Sequence, residues 1–363
     1  MTPDLLRAAA ARLVGENTGD PNATAQRFLD SARDHRIDLS LMWCTLEPVT
    51  GGVPGIPVEP RIGQVCLAVI GTGRTAMIFV SGPRKGRGWS GGAKLGQKAQ
   101  VAAAAEQKER VALINRACAE VGSPRPDGRT PAVLAQALLE AKEAEAARAF
   151  RLAGFAQLGD LAYMRRLMAK QPGRVLEQAG TPEWPEGLRV DSLEQLAGEG
   201  ASEAQLHEWL VSALERSYVE TMDCPELCGM RSIEDVLQSH RSVGVLDPSL
   251  WWLVRDRNGP QGCLLFNAAP EQDAVELVYL GLAPAVRGIG LGARLLGFGL
   301  RRLYDHVLAP QAHAGHPHLG GSGGVTCAVD TRNTPAMKLY RRAGFERFGL
   351  RLPLVRSLGP AGA

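Results

Sequence analysis

Val275-Glu276-Leu277-Val278-Tyr279-Leu280-Gly281-Leu282-Ala283-Pro284-Ala285-Val286-Arg287-Gly288-Ile289-Gly290-Leu291-Gly292-Ala293 is the stretch whose reading decides the fold. An apolar strand runs into a loop with glycine at three alternate positions, and an amphipathic helix follows from about residue 290 to 307. Such a loop lets successive backbone N–H groups converge at a helix N-terminus, where the dipole is positive, and the resulting concavity suits a pyrophosphate. Glycine serves there because a Cβ would block close approach and resist positive φ. The segment lacks the Gly-Lys-Ser/Thr ending of a nucleotide P-loop. It fits the Rossmann glycine pattern only in part, with no parallel unit carrying a downstream ribose-binding acid.

A second stretch narrows the reading. Ala328-Val329-Asp330-Thr331-Arg332-Asn333-Thr334-Pro335-Ala336-Met337-Lys338-Leu339-Tyr340-Arg341-Arg342-Ala343-Gly344-Phe345 reads as a strand, a turn and a helix. With Arg287-x-x-Gly290-x-Gly292 upstream, the pair resembles the motifs of the GNAT superfamily of N-acetyltransferases: an acyl-CoA pyrophosphate loop, then N-x-x-A and L-Y-x-x-x-G-F. The resemblance covers about residues 188 to 358 well.

The resemblance implies an α/β fold with a mixed sheet (α+β in its layering) and acetyl-CoA as co-substrate, with no metal. Gly288, Ile289, Gly290, Leu291, Gly292 and Ala293 would hold the pyrophosphate with Arg287, the strand edge at Leu280 and Leu282 would pair with the pantetheine arm, and Asn333 would contact the cofactor. Tyr340 is expected as the general acid for the leaving thiolate, and Glu276 as the base that frees the acceptor amine. Strand alternation sets Glu276, Val278, Leu280 and Leu282 on one side. Burial beside Trp251, Trp252 and Tyr279 would raise the Glu276 pKa. The acceptor would meet the region of Tyr218, Asp223 and Glu226, whose acids suit a cationic amine and serve equally as solvated carboxylates.

Outward from these motifs the chain reads as a duplication. Ala153-Gly154-Phe155 matches Ala343-Gly344-Phe345 at an offset of 190 residues, and Arg151/Arg341, Ala146/Ala336 and Gly159/Gly349 extend the match. The expected layout is two tandem acyl-CoA N-acyltransferase (GNAT) folds: a degenerate domain over 1–170, a linker over 171–187 with Pro172, Pro182 and Pro185, and a catalytic domain over 188–363. Aligning Pro83 with Pro284 sets Thr75 against Glu276, and the 190 offset sets Glu143 against Asn333 and Phe150 against Tyr340. The first copy is therefore expected to be catalytically silent. Its counterpart of the glycine loop, Pro83-Arg84-Lys85-Gly86-Arg87-Gly88-Trp89-Ser90-Gly91-Gly92, keeps glycine but loses the spacing, and Trp89 is its expected contact residue.

The composition agrees. At 363 residues the chain is long enough for two or three domains, and 45% hydrophobic with 22% charged residues is ordinary for a globular protein. Forty-one basic against thirty-eight acidic residues leave +3, so no global field points to nucleic acid or an anionic membrane. Locally, Pro60 to Val101 holds seven Lys and Arg and no acid. That stretch keeps two rivals open: a residual CoA phosphate site, or a non-catalytic acyl-CoA-responsive or RNA-associated protein. A different acyl-CoA donor is a third. Seven dispersed Cys suit reduced core thiols. Cys224-x3-Cys228 and the cluster His313, His316 and His318 lack metal-site spacing. No apolar run reaches membrane-spanning length and no signal sequence opens the chain, so a cytoplasmic location is expected, with a small-molecule or peptide amine as partner.

Overall fold

The computed structural model describes residues 1–15, 18–47, 61–84, 97–124, 128–167, 183–308 and 323–359. They form two compact units, Met1–Leu158 with Leu352–Ala363, and Gly159–Arg351.

Unit 1 holds α1 (Pro3–Ala10), α2 (Pro21–Asp34), β1 (Met42–Glu47), β2 (Arg61–Gly71), β3 (Thr75–Val80), α3 (Gln97–Val121), β4 (Leu134–Leu139), α4 (Ala144–Leu152) and β5 (Ala156–Gln157). Its strands run in the order β1-β2-β3-β4, antiparallel until the parallel β3/β4 pair. In unit 2, β6 (Leu161–Leu167) precedes β7 (Arg189–Ser192), α5 (Leu193–Gly198), α6 (Glu203–Tyr218), α7 (Ile233–Ser242), β8 (Val245–Asp256), β9 (Gly259–Ala269) and β10 (Ala274–Leu282). Then come α8 (Leu291–Leu308), β11 (Gly324–Asp330), α9 (Thr334–Arg342) and β12 (Glu346–Ser357), ordered in the sheet β12-β6-β11-β10-β9-β8-β7.

Sequence explains the elements. The hairpin of β2 and β3 turns at Gly73, whose φ of 63° suits glycine. Ser202 opens α6 with the expected capping box to Gln205, and Ser192 does the same for α5 with Gln195. The repeat is visible in the structure: α4 and α9 occupy positions 190 residues apart, and β4 and β11 start at the same offset.

The boundary differs from the expected linker at 171–187. The chain passes between units at Leu158/Gly159 and again at Arg351/Leu352, and residues 168–182 lie outside the described residues. Strand β6, assigned by sequence to the first domain, pairs with β11 from Leu161↔Asp330 to Leu167↔Gly324. The closing half of β12 pairs with β4 from Leu352↔Leu139 to Ser357↔Leu134. Each copy thus takes its terminal strand from the other. The arrangement is like domain swapping within one chain.

Register also changes the expected equivalences. Thr75↔Leu134 through Met77↔Gln136 matches Ala274↔Gly324 through Glu276↔Thr326, so Met77, and not Thr75, stands where unit 2 has Glu276. The buried face of α3, with Leu113, Ile114, Ala117, Cys118 and Val121, overlays the pattern Leu295, Leu296, Gly299, Leu300 and Leu303 of α8. This sets Arg110 against Gly292, Gln107 against Ile289 and Glu106 against Gly288. Where unit 2 opens into its glycine loop, unit 1 continues as helix with large side chains. Arg110 is 1% exposed; its Nε donates to the Ser81 carbonyl, and its Nη2 meets Glu106 at 3.1 Å. Gln107 Nε2 donates to the Glu145 carbonyl on α4 at 3.3 Å.

The basic stretch of this unit is partly neutralised. Arg84 meets Glu47 at 2.9 Å and donates to the Ile62 carbonyl, while Lys85, Arg87, Trp89 and Lys94 lie outside the described residues, as do His313, His316 and His318. Among the described residues no helix is long and apolar enough to cross a membrane, and no group of His, Cys, Asp and Glu could hold a metal.

Glu106→Ala leaves Arg110 buried without its carboxylate. It is expected to cost about 3–5 kcal/mol of stability, read by urea denaturation; an unchanged midpoint contradicts the closed packing of unit 1.

Candidate functional site

In unit 2 the parallel strands β10 and β11 pair only from Ala274↔Gly324 to Glu276↔Thr326. Beyond Glu276 they part, and Leu277 to Leu282 have no strand on that side among the described residues. Against β9 on the other side, Leu277↔Phe266 is followed by Tyr279↔Leu265, so Val278 is the extra residue of a β-bulge.

The bulge overturns the simple alternation expected for this strand. Leu277, Leu280 and Leu282 share the face of Phe266 and Leu264, against Leu291 and Leu295 of α8. Glu276 and Tyr279 share the opposite face with Asn267 and Leu265. Asn267 is fully buried there: its Oδ1 accepts from Trp251 Nε1 at 2.7 Å, and its Nδ2 donates to the carbonyls of His240 and Val243. Trp252, expected beside Glu276, packs on the α8 face instead.

Strand β10 delivers the chain into the glycine loop. Gly288 and Gly290 have φ of 79° and 80°, and a Cβ on either would meet nothing within 4 Å, so it is the backbone conformation that demands glycine. The space beside them is open. The first intrahelical bond of α8 is made by the Arg294 amide to the Gly290 carbonyl at 3.2 Å, so the amides from Gly288 to Ala293 precede it. Gly292 lies between Leu282 and Leu339, each 3.8 Å from the position of a Cβ.

Arg287 ties the loop to the rest of unit 2. Its guanidinium donates to the carbonyls of Leu282 at 2.7 Å, Glu220 at 3.2 Å, Ser217 at 2.9 Å and Val219 at 2.8 Å. It staples the loop to the end of α6 and so positions the amides. Asn333 caps α9, its Oδ1 accepting from the Ala336 amide at 3.2 Å.

Tyr340 is 7% exposed and packs on Phe345 with ring centroids 5.6 Å apart. Its hydroxyl has no hydrogen-bond partner among the described residues. Burial, with Cys327 and Asp223 nearby, pushes its pKa well above the ordinary phenol value, so it stays protonated. Glu276 is half-buried, has no hydrogen-bond or ion-pair partner among the described residues, and is raised above the usual carboxylate range by desolvation.

The acids expected to greet a cationic substrate are already engaged. Asp223 Oδ1 accepts from the Asp330 amide at 2.8 Å, and Asp330 Oδ2 accepts from the Cys224 amide at 3.2 Å. Arg332 holds Asp330 at 2.6 Å and grips both oxygens of Glu226 at 2.6 and 2.9 Å. The hydrogen bonds from Arg332 hold Glu226 below the usual carboxylate range. These residues clamp the 221–228 loop to the end of β11.

Tyr218 stacks on Tyr279 at 5.5 Å, and Tyr279 stacks on His240 at 5.3 Å. Burial, helped by the charge of Arg231, lowers the His240 pKa to about 4, so the imidazole stays neutral. Tyr279, Asp330 and Arg332 stand inside the quoted stretches, but their partners lie far off in the chain, and His240 carries no local signal at all.

Residues 214–345 match the model of the acetyltransferase (GNAT) family. The chain is similar to the mycothiol acetyltransferases of Beutenbergia cavernae, 31% identical over 53% of this chain and 60% of that one, and of Rhodococcus erythropolis, 31% identical over 37% and 42%. The matches thus span at most 60% of these curated relatives' length. A solved GCN5-related N-acetyltransferase from Sphaerobacter thermophilus aligns over 99% of this chain and 93% of its own, with 19% identity and a TM-score of 0.47. The family match falls within unit 2, on the stretch that carries the parted strands and the glycine loop.

Because desolvation raises Glu276 without a compensating partner, its ionised form works against folding. Its stability contribution is intact below the unfolded pKa and is lost as pH rises through the higher folded pKa. Glu276→Gln is therefore expected to be more stable than the parent chain at neutral pH, with the gain vanishing in acid. Equal melting temperatures at pH 7 contradict this.

Proposed function

We propose that unit 2 transfers an acetyl group from acetyl-CoA to a primary amine by direct attack. The observation that carries the reading is the parting of β10 from β11 beside the glycine loop, with Glu276 at its vertex. An extended pantetheine arm fits an unpaired strand edge by strand addition. The pyrophosphate fits the free amides from Gly288 to Ala293, held by the Arg287 staple. The acetyl donor is suggested by the family and by the relatives named above.

Glu276 takes a proton from the acceptor ammonium, directly or through water, because only the neutral amine attacks a thioester. The nitrogen lone pair forms the bond to the carbonyl carbon, and the thioester π pair moves onto oxygen. Collapse of that intermediate breaks the C–S bond, Tyr340 donates its proton to the departing thiolate, and the second proton on the former amine nitrogen leaves to water or to the Tyr340 phenolate, giving the neutral amide. A buried, high-pKa phenol is a proton donor across the whole neutral range, and the raised Glu276 is a better base than an exposed carboxylate. Unit 1 takes no part: Met77 and Phe150 replace the two groups, and Glu106, Gln107 and Arg110 occupy the positions of the glycine loop.

The test is kinetic, following release of free CoA with a panel of primary amines. Tyr340→Phe and Glu276→Gln are each expected to lower kcat by about 10²-fold or more, with acetyl-CoA still bound. The acid limb of the parent's kcat/KM profile should lie above the ordinary glutamate range and be absent in Glu276→Gln. Unchanged kcat in both variants overturns the mechanism.

A further inference from the structure

The described residues cover only half of the unit 2 sheet face that carries Glu276. Helices α5 to α7 pack over β8 and β9 through Leu210, Leu214, Trp251 and Leu265. Past Glu276, strands β11, β6 and β12 continue the same face. Register carries it from Glu276 to Thr326, from Thr326 to Arg165, and from Ala328 to Tyr163. On β12, Arg347↔Met164 is followed by Gly349↔Tyr163, which makes Phe348 the extra residue of a second bulge.

That bulge assembles a ledge of alternating rings and cations. Tyr163 and Phe348 meet edge to face at 6.2 Å. The Arg165 guanidinium lies 4.8 Å over the Phe348 ring, and the Arg351 guanidinium lies 5.8 Å from the Tyr163 ring. Even with these contacts Phe348 is 55% exposed, a large apolar surface left to solvent. Arg165 is exposed and has neither an ion pair nor a hydrogen bond among the described residues; even Glu346, its register partner on β12, makes none with it. Two sheet spacings put the ledge about 10 Å from Glu276.

We infer that this ledge is the acceptor's second anchor: the substrate amine carries an anionic group, carboxylate or phosphate, on a flat or apolar body that rests on Tyr163 and Phe348 while Arg165 and Arg351 hold the charge. Arginine recognises both anions through its planar fork. The amine end then lies toward Glu276, whose negative charge completes a complementary pair of poles. The inference rests on the acyl-transfer reading of unit 2. It adds to it a specificity that the acids of the 221–228 loop, tied up by Arg332 and Asp330, do not provide.

The test uses the full chain and measures binding in the presence of saturating CoA and, separately, transfer in the presence of acetyl-CoA. The probes are 4-(aminomethyl)benzoate, its neutral amide 4-(aminomethyl)benzamide, and the corresponding phosphonate, titrated calorimetrically. At least one anionic probe is expected to bind about tenfold or more tighter than the amide, and which anion wins separates carboxylate from phosphate recognition. Arg165→Ala should abolish the difference, whereas Arg347→Ala, paired with Met164 on the other face of the sheet, should keep it. Equal affinity for all three probes, or a preference that survives Arg165→Ala, overturns the ledge. Anion-selective binding without any acetyl transfer leaves the ledge standing and sinks the acyl-transfer reading; transfer to the neutral amide as fast as to the anions does the reverse.

Discussion

Two parallel strands that pair for three residues and then separate govern the rest of unit 2. An unpaired stretch of backbone inside a domain is costly, since each N–H and C=O lost from a ladder must find another partner. The sheet tolerates it from Leu277 to Leu282 because β9 satisfies the other edge, and because the Val278 bulge turns the strand as it leaves β11. The same bulge divides the strand's labour. Leucines face α8 and anchor the helix that presents the glycine loop, while Glu276 and Tyr279 face the opposite side of the sheet. Arg287 then fixes the loop by bonding four carbonyls, which holds the amides from Gly288 to Ala293 in place.

Unit 1 shows the same constraint with a different filling. Its strands part in the same way after Met77, yet the helix that follows begins earlier and drives Arg110, Gln107 and Glu106 into the positions of the loop. A buried ion pair with full hydrogen bonding is stable enough to keep and too large to leave room for a phosphate. Among the described residues, unit 2 has an open glycine loop, a carboxylate at Glu276 and a phenol at Tyr340, where unit 1 has Met77 and Phe150.

Much of this was legible in the sequence where the signal is local. Glycines at 288, 290 and 292 mark a loop whose geometry adjacent residues dictate, and the helix from Thr334 to Arg342 announces itself by its cap and its periodicity. The 190-residue offset disclosed the duplication because short matches recurred in the same order of elements. What stayed hidden depends on distant partners. No local pattern marks Val278 as a bulge, so alternation placed Leu280 on the wrong face. The pairing of β6 with β11 and of the closing half of β12 with β4 joins segments far apart in the chain, which no local pattern announces. Arg332, 106 residues from Glu226, claims an acid that looked free in isolation.

The central claim is that one unit, opened by its parted strands, holds the acyl donor. Hydrogen exchange of the full chain with and without acetyl-CoA tests it most directly. The account predicts new protection of the amides from Tyr279 to Leu282 and from Gly288 to Ala293, with Ile78 to Ser81 of unit 1 unchanged. Protection of unit 1's strand to the same degree, or none along β10, would contradict it.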